Sequence, residues 1–336
     1  MRDDGTMTEG PVANDDQPGR AESAAEGQGG LFDGFEGYRT PSEADYRDLL
    51  TNGIVVPDTN VFLNLYRYTE QARSDLLSVL RDLGDQLWVP HQVIREFWKN
   101  REALLQDPQG VTVTTQELAK LHDRVVSIFR SWTTRVGLTN ERITEFIGPL
   151  DKAFDALIDD ISKMTDSNMT EFARDTSKDP ILGELELILK GRVGPPLNGA
   201  ELKTALAEAR RRSELKEPPG YSDAGKDEPG GDYLIWTEVL REAKRRKQNV
   251  LLVTGDIKGD WWRIHRGELR GPRPELIEEM KGFAGVKIFI LRPDSFLVHA
   301  AQILRVKVQE GSVQNVERID RTYQNALDAA MGRAAL

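Results

Sequence analysis

The stretch Ile54-Val55-Val56-Pro57-Asp58 decides the fold, because a short run of β-branched residues leads directly into a carboxylate. Such a run, preceded by Gly53 and ended by a proline, is typical of a buried strand. The same arrangement recurs at Val250-Leu251-Leu252-Val253-Thr254, which is followed by Gly255 and Asp256. Two predicted strands therefore each carry an aspartate at the carboxyl end.

The rest of the chain alternates between further short strands and longer helices. Apolar runs predict strands at 87–90 and 286–291, and Ser42 is a suitable N-cap for a short helix. Strands separated by helical crossovers predict an α/β fold with a mainly parallel central sheet. The other predicted helices cover 61–83, 91–105, 232–247, 294–307 and 313–332.

Composition divides the chain into four predicted parts. Residues 1–40 are acidic and poor in apolar side chains, which predicts a disordered tail. Residues 41–105 and 217–300 form a core of ordinary domain size, and 301–336 form a C-terminal helical segment. Between the two core halves, 106–216 is interpreted as a helical insertion, with helices near 113–136, 140–165, 179–190 and 199–215.

The net charge of −10 is concentrated near the N-terminus. Residues 1–50 hold 12 Asp and Glu against 4 Arg, whereas the remaining 286 residues hold 43 acidic against 41 basic side chains. Binding to phosphates depends on Lys and Arg, so the acidic total argues against a nucleic-acid partner. The nearly neutral body removes that argument and predicts a local basic channel.

Several classes of protein are excluded by what the chain lacks. It has no cysteine, which excludes disulfides, thiolate zinc clusters and a cysteine nucleophile. No apolar run approaches the roughly 18 residues needed to cross a bilayer, and the N-terminus has no apolar stretch of the kind found in secretory signals. We therefore expect a soluble, cytoplasmic protein with no membrane partner.

Four carboxylates are candidates for one ligand-binding site. Ligands of an open parallel sheet bind beyond the carboxyl ends of the strands, where Asp58 and Asp256 lie. Glu96 adjoins Phe97 on an apolar helix face, where a carboxylate needs a cationic partner. Asp232 follows two glycines, which let backbone segments approach closely.

Each of these acids also has a purely structural interpretation. An aspartate after a strand is a common turn former or helix cap, which applies to both strand-end residues. An ion pair with Lys99 or Arg101 would account for Glu96, and an ordinary N-cap would account for Asp232. The residues taken singly leave both interpretations open.

Four sequence blocks each carry one of these acids. The blocks are Val56-Pro57-Asp58-Thr59-Asn60-Val61-Phe62-Leu63-Asn64-Leu65-Tyr66; Trp88-Val89-Pro90 with Arg95-Glu96-Phe97-Trp98-Lys99-Asn100-Arg101; Pro218-Pro219-Gly220-Tyr221 with Gly231-Asp232-Tyr233-Leu234-Ile235-Trp236; and Thr254-Gly255-Asp256-Ile257-Lys258-Gly259-Asp260-Trp261-Trp262. Together they resemble the PIN-like nuclease family, in the branch with a helical insertion. The resemblance implies a PIN-like three-layer fold and an endonuclease that hydrolyses phosphodiester bonds, with RNA favoured over DNA.

The resemblance further implies that the four acids are catalytic ligands of Mg²⁺ or Mn²⁺. These cations prefer oxygen ligands, and converging carboxylates repel one another unless a cation lies among them. A water bound to such a cation is a better nucleophile; the family's reaction leaves a 5′-phosphate and a 3′-hydroxyl, and its members act in toxin or defence systems. The implied metal ligands are Asp58, Glu96, Asp232 and Asp256, with Asp260 as a fifth candidate and with Asn60 and Thr254 as hydrogen-bonding neighbours.

Basic and aromatic residues near these blocks are candidates for contacts with nucleic acid. Cations contact phosphates, and tryptophans stack on unpaired bases of single strands. The alternative is that the two tryptophans pack beneath the loop while the basic side chains are only solvated. The candidates are Arg67, Lys99, Arg101, Lys258, Trp261, Trp262, Arg263 and Arg266.

Two other functions stay open on the sequence. The motif Gly255-Asp256-Ile257-Lys258-Gly259-Asp260 also fits haloacid-dehalogenase-like phosphatases, but Asn60 stands where those enzymes need a second aspartate. A non-catalytic PIN-like module that binds RNA or protein is the other alternative, although all four acids are present. The helical insertion is a candidate surface for a homo-oligomer or a protein partner.

Overall fold

The computed structural model describes residues 30–106, 110–163, 167–223 and 230–334. Residues 1–29, which hold most of the predicted tail, lie outside these ranges. Glu36–Tyr38 form a short 3-10 turn, and Glu36 pairs with Lys281, so this part of the predicted tail contacts the folded core. None of the described helices combines the length and apolar character that crossing a bilayer requires.

A parallel sheet of three strands lies at the centre of the fold. The described strands are β1 (Ile54–Pro57), β2 (Val250–Val253), β3 (Trp262–His265), β4 (Glu268–Pro272) and β5 (Ile288–Leu291). The central sheet has the order β1-β2-β5, with Ile54 paired to Val250 and Val250 to Ile288. Every residue of β1 and β2 is buried, as expected for parallel strands covered on both faces.

Single bridges extend this sheet beyond β1. Leu87 pairs with Val55, and Val89 pairs with Val193, in both cases in parallel. The predicted strand at 87–90 therefore lies beside β1 but forms only isolated bridges. Across the sheet the segments lie in the order Val193, 87–89, β1, β2 and β5. The chain therefore adds its second and third segments on one side of β1 and its fourth and fifth segments on the other side, so the direction of the connections reverses between β1 and β2. Such a switch point is where open parallel sheets bind ligands.

Two sets of helices flank the sheet. One set contains α1, α3, α12 and α13, and the other contains α4, α9, α10 and α11, with α1 against β1 and α11 against β5. The predicted α/β class with a parallel sheet is confirmed. The described helices are α1 (Glu43–Asn52), α2 (Thr59–Leu63), α3 (Glu70–Asp82), α4 (His91–Gln106), α5 (Val111–Val136), α6 (Asn140–Lys163), α7 (Ser167–Arg174), α8 (Pro180–Leu189), α9 (Gly199–Leu215), α10 (Gly231–Arg246), α11 (Pro274–Ala284), α12 (Pro293–Leu304) and α13 (Glu310–Ala334).

The predicted insertion is helical throughout α5 to α9, but its two halves pack differently. In α5 and α6, which contact each other, Thr133 and Ile147 are the buried residues. In contrast, Ile181, Leu185 and Ala205 of α8 and α9 belong to the same apolar cluster as the sheet. The second half of the insertion is thus part of the main core, whereas the domain limits themselves stay a prediction.

The single helix predicted for 61–83 was wrong. The segment forms α2, a 3-10 turn over Asn64–Tyr66, and then α3. The break is stabilised by Thr69, which caps α3 by accepting the N–H of Ala72 at 3.3 Å. The side chain of Arg73 also donates to the carbonyl of Leu65 at 2.8 Å. Apolar spacing alone did not reveal this, because α2 and α3 both bury apolar residues.

The hairpin formed by β3 and β4 was not predicted. Its turn contains Arg266 and Gly267, both with positive φ, at 51° and 78°, which matches the twist of two adjacent antiparallel strands. The helix α11, which begins at Pro274 directly after the hairpin, was also not predicted. The basic segment after Asp256 is therefore a short loop up to Trp261 that continues into a regular hairpin.

Candidate active site

Asp58 lies directly after β1, and its carboxylate accepts three hydrogen bonds. The donors are the N–H of Thr59 at 2.6 Å, the side-chain amide of Asn60 at 2.5 Å and the hydroxyl of Thr254 at 2.7 Å. The first of these caps α2, so the interpretation of Asp58 as a helix cap is correct. The other two donors connect the same carboxylate to the end of β2.

Asn60 and Thr254 join the carboxyl ends of the two strands. The Asn60 amide donates to the Thr254 hydroxyl at 3.0 Å, and its oxygen accepts the N–H of Gly255 at 2.8 Å. The Thr254 hydroxyl also accepts the N–H of Asp256 at 3.0 Å. Both side chains therefore lie next to the two strand-end acids. Their action as neighbours of metal ligands stays a prediction.

The carboxylate of Glu96, on α4, belongs to the same network. It accepts the Thr59 hydroxyl at 3.0 Å and the Gln92 amide at 2.9 Å. Arg101, one alternative partner of Glu96, instead forms a buried ion pair with Asp179 at 2.5 Å. Thr59 thus connects Glu96 to Asp58, because it donates to both carboxylates.

Asp232 lies in the first turn of α10 and beside two glycines. The N-cap of α10 is Gly230, so the interpretation of Asp232 as an N-cap was wrong. A Cβ added to Gly231 would lie 2.3 Å from Oε1 of Glu96, and a Cβ added to Gly220 would lie 3.3 Å from the Cβ of Asp232. The start of α10 therefore lies directly against Glu96 and against the loop at Gly220.

Asp256 and Asp260 lie in the loop after β2. The Asp256 carboxylate pairs with the ammonium of Lys258 at 2.8 Å and accepts the N–H of Lys258 at 2.9 Å. Asp260 is fully buried, and its Oδ2 accepts the N–H groups of Gly220 at 3.0 Å and Ser222 at 3.2 Å. Within the described ranges its Oδ1 has no hydrogen-bond partner. Asp260 therefore anchors the Gly220 loop, and its role as a fifth ligand stays a prediction.

These contacts form a closed series near the switch point when the peptide bond between Gly231 and Asp232 and the electrostatic effect of Asp260 on Asp256 are included. Burial, together with the charges of Glu96 and Asp256, raises the pKa of Asp58 to about 6. Burial also raises the pKa of Asp256, with Asp260 adding to the effect and Lys258 opposing it. The acids are thus near enough to repel one another. The series runs through Asp58, Thr59, Glu96, Gly231, Asp232, Gly220, Asp260, Asp256 and Thr254, and returns to Asp58.

The chemistry of this donor set fits a divalent cation. All its charged donors are carboxylates, and a cation would offset the burial and the repulsion by Glu96 and Asp256 that together raise the pKa of Asp58. In the part of the chain that the structure describes, no group of three or more acidic or histidine side chains is arranged to hold a metal ion. The ammonium of Lys258 provides the positive charge beside Asp256. Ligation of Mg²⁺ or Mn²⁺ therefore stays a prediction.

Comparison with known families identifies the domain. The family model of the PIN-like domain matches residues 54–276, about two thirds of the chain. The chain belongs to the PIN-like domain family. This confirms the resemblance of the four sequence blocks, and PIN-like domains are generally nucleases. No curated protein and no solved structure matches the chain.

Three of the predicted nucleic-acid contacts of this PIN-like domain are contradicted by burial. Trp261 and Trp262 are each 4% exposed. Trp261 packs edge-on against Trp236 at 6.1 Å, and the indole N–H of Trp262 donates to the Asp256 carbonyl at 2.6 Å. Arg101 is 3% exposed. Neither tryptophan can stack on a base in this structure, and Arg101 cannot reach a phosphate.

The other basic candidates lie nearer to solvent. Lys99 and Arg266 are exposed, and Arg67 is half-buried. Arg263 is also half-buried, where it covers the ring of Tyr38 at 4.7 Å and donates to the Arg270 carbonyl at 3.1 Å, so its guanidinium has structural contacts. Lys258 is bound to Asp256, as described above. Contacts of these cations with nucleic acid stay predictions.

Sequence reasoning missed two residues next to this site. Glu238 accepts the N–H of Gln92 at 3.3 Å, and burial raises its pKa to about 7. Asp320, on α13, lies against Gly255, and nothing in the sequence indicated this.

The glycine at 231 offers a direct test of the position of Glu96. We expect Gly231→Ala to reduce nuclease activity by about 10- to 100-fold, the range for residues that orient metal ligands. The added Cβ would lie 2.3 Å from Oε1 of Glu96, so this carboxylate has to move. Circular dichroism and kcat measurements on the purified variant check the expectation.

A matched control exists at the first residue of α9. A Cβ added to Gly199 would meet nothing within 4 Å, so Gly199→Ala should leave activity unchanged. Equal activity of the two variants would contradict the assigned position of Glu96.

Proposed function

We propose that this PIN-like domain is a metal-dependent endonuclease that hydrolyses phosphodiester bonds, with RNA as the favoured substrate. The observation that supports it most is the closed series of contacts that brings Asp58, Glu96, Asp232 and Asp256 around one switch point. These residues come from two strand ends and two helices. A purely structural role for each acid would not require that contacts connect all four to the ends of β1 and β2.

The proposed ligands of Mg²⁺ or Mn²⁺ are these four carboxylates. When bound, such a cation lowers the pKa of a water molecule and stabilises the negative charge of the attacked phosphate. Thr59, Asn60 and Thr254 hold the carboxylates through the hydrogen bonds described above, so that little reorganisation is needed. None of the four His side chains is needed as a nucleophile.

The proposed substrate is a single-stranded or unpaired region of nucleic acid. The exposed Lys99 lies about one turn after Glu96 on α4. Trp98 is half exposed on the adjacent side of this helix, where Arg101 packs against its ring. Aromatic stacking on bases combined with a cation for the phosphates is the usual mode of binding single strands. RNA is favoured because its unpaired loops offer such bases.

An assay of purified protein tests this proposal. The substrates are 5′-labelled single-stranded RNA, structured RNA and single-stranded DNA, each with Mg²⁺, Mn²⁺ or EDTA. We expect cleavage of single-stranded RNA with either cation and none with EDTA. Hydrolysis of p-nitrophenyl phosphate with intact nucleic acids would support the phosphatase alternative, and binding of RNA without cleavage would support the non-catalytic module.

A further inference from the structure

Asp320 is a buried carboxylate that lies beyond the matched PIN-like segment. It belongs to α13 and is 2% exposed. Its Oδ1 accepts the side-chain amide of Asn64 at 2.8 Å and the hydroxyl of Tyr68 at 3.0 Å. Across the described ranges, its Oδ2 has no hydrogen-bond partner. Burying such a carboxylate costs free energy, which indicates a role other than stabilising the fold.

The two donors to Asp320 lie in the segment that follows Asp58. Asn64 is 1% exposed, and its Oδ1 accepts the guanidinium of Arg67 at 2.9 Å. Only the amide nitrogen of Asn64 can donate to a carboxylate, so Asp320 fixes which way this amide faces. Asp320 therefore determines the local arrangement of the turn after α2.

Asp320 also lies against the segment that follows β2. A Cβ added to Gly255 would lie 3.4 Å from Cγ of Asp320 and 3.3 Å from Oδ1 of Asn60. Gly255 thus lies between these two side chains, and its N–H donates to Oδ1 of Asn60 at 2.8 Å. The next residue is Asp256, so Asp320 lies beside the segment that carries one of the proposed ligands.

We propose that Asp320 is a positioning residue that holds the segment after β1 and the segment after β2 in register across the switch point. The effect of Asp320 on catalysis rests on the proposed nuclease function. Its effect on the backbone at Gly255 is independent of that function. On this proposal α13 belongs to the active domain, although the family match ends at residue 276.

Substitutions of Asp320 and of a second carboxylate that binds α13 separate positioning from stability. Asp75 is also buried and accepts the N–H of Gln309 at 2.9 Å and the hydroxyl of Ser312 at 2.7 Å. Neither contact involves the strand ends, so Asp75→Ala weakens the attachment of α13 away from the site. It is the matched control for Asp320→Ala.

The first measurement is hydrogen exchange of the Gly255 amide in the full chain, with and without Mg²⁺. The Gly255 amide donates to Asn60, and we expect Asp320→Ala to speed its exchange by about tenfold, because the segment loses the side chain that lies against it and opens more often. Asp75→Ala should leave it unchanged. Asp320→Asn keeps one acceptor oxygen and should show a smaller change in the same direction, and it decides the question if the alanine variant does not fold.

The second measurement is cleavage kinetics. We expect Asp320→Ala to lower kcat by about 10- to 100-fold with little change in KM, while Asp320→Asn restores most of the rate and Asp75→Ala changes neither. Unchanged Gly255 exchange in the Asp320 variants, or equal effects of the Asp75 variant, would overturn the proposal. If exchange responds as expected but the wild type cleaves no nucleic acid, the nuclease function fails and the positioning role stands.

Discussion

Asp58→Asn is expected to abolish metal-dependent cleavage, with kcat reduced on the order of 10³-fold or more. The substitution keeps the size of the side chain but removes a charge that the proposed cation needs. Because Asp58 also accepts three hydrogen bonds, the fold around it should persist through its remaining acceptor oxygen. Cleavage of labelled RNA and far-ultraviolet circular dichroism are the measurements.

Asp48→Asn is the control for this prediction. Asp48 is an exposed carboxylate on α1, where it accepts the side-chain amide of Asn52 at 2.9 Å, and its removal should leave kcat unchanged. Substantial cleavage by Asp58→Asn would contradict the proposed role of Asp58 as a metal ligand.

In the absence of metal, Asp58→Asn should also change how the free energy of unfolding depends on pH. The folded-state pKa of Asp58 is raised to about 6, whereas an unfolded aspartate titrates near ~3.9. As pH rises from about 4 to 6, the unfolded state loses this proton first, so Asp58 progressively destabilises the fold. The loss amounts to about 1–2 kcal/mol when its partial exposure is allowed for.

Asp320 and Glu238 contribute to the same trend, because burial raises their pKa values to about 6 and about 7. Their contributions remain in the Asp58→Asn variant, so the difference between the two pH profiles isolates Asp58. Urea unfolding of both proteins in EDTA between pH 4 and 7 measures it. Parallel pH profiles of the two proteins would show that the folded state does not raise the pKa of Asp58.

Arg101→Leu is expected to lower the free energy of unfolding by about 3–5 kcal/mol, the cost of removing one partner from a buried ion pair. Arg101 binds Asp179 at 2.5 Å and also donates to the Tyr66 hydroxyl and the Phe172 carbonyl, each at 2.9 Å. Asp179 in turn caps α8 through the N–H of Ile181 at 2.8 Å. The variant leaves this carboxylate buried without its cation.

An exposed ion pair that also involves α8 is the control. Arg81 of α3 pairs with Glu184 of α8, and both side chains are about half exposed, so Arg81→Leu should have little effect on unfolding by urea. Affinity for RNA at 25 °C should be the same for Arg101→Leu and wild type, because Arg101 does not reach the surface. Reduced affinity with unchanged stability would restore Arg101 as a phosphate contact.

The strand ends of this PIN-like domain were predictable because their signal is local. Four consecutive apolar residues lead into an aspartate, directly at 54–58 and after Thr254 and Gly255 at 250–256, and both patterns are visible without any tertiary information. The parallel pairing of β1 with β2 then follows from the crossover rule, and it places Asp58 and Asp256 at one edge. Glu96 and Asp232 needed the family resemblance, since a helical carboxylate next to glycine or an apolar residue has many local explanations.

Which side chains are buried was decided only by the tertiary structure. Trp98 and Trp261 lie in equally basic stretches of sequence, yet the first is 50% exposed and the second 4%. The difference depends on Trp236, 25 positions before Trp261, which packs against it. Composition cannot supply this information, because it does not say which distant element covers a given residue.

The sequence by itself determined the fold class and the strand ends, because the spacing of apolar residues is a signal that spans only a few positions. The family resemblance of its four blocks added the candidate acids on the helices. The tertiary structure alone decided that Arg101 meets Asp179, 78 positions away, and that Asp320 meets Asn64, 256 positions away. A buried charge is stable only beside a partner that replaces its lost hydration. That partner is fixed by how the helices pack and not by the residues on either side of the charge.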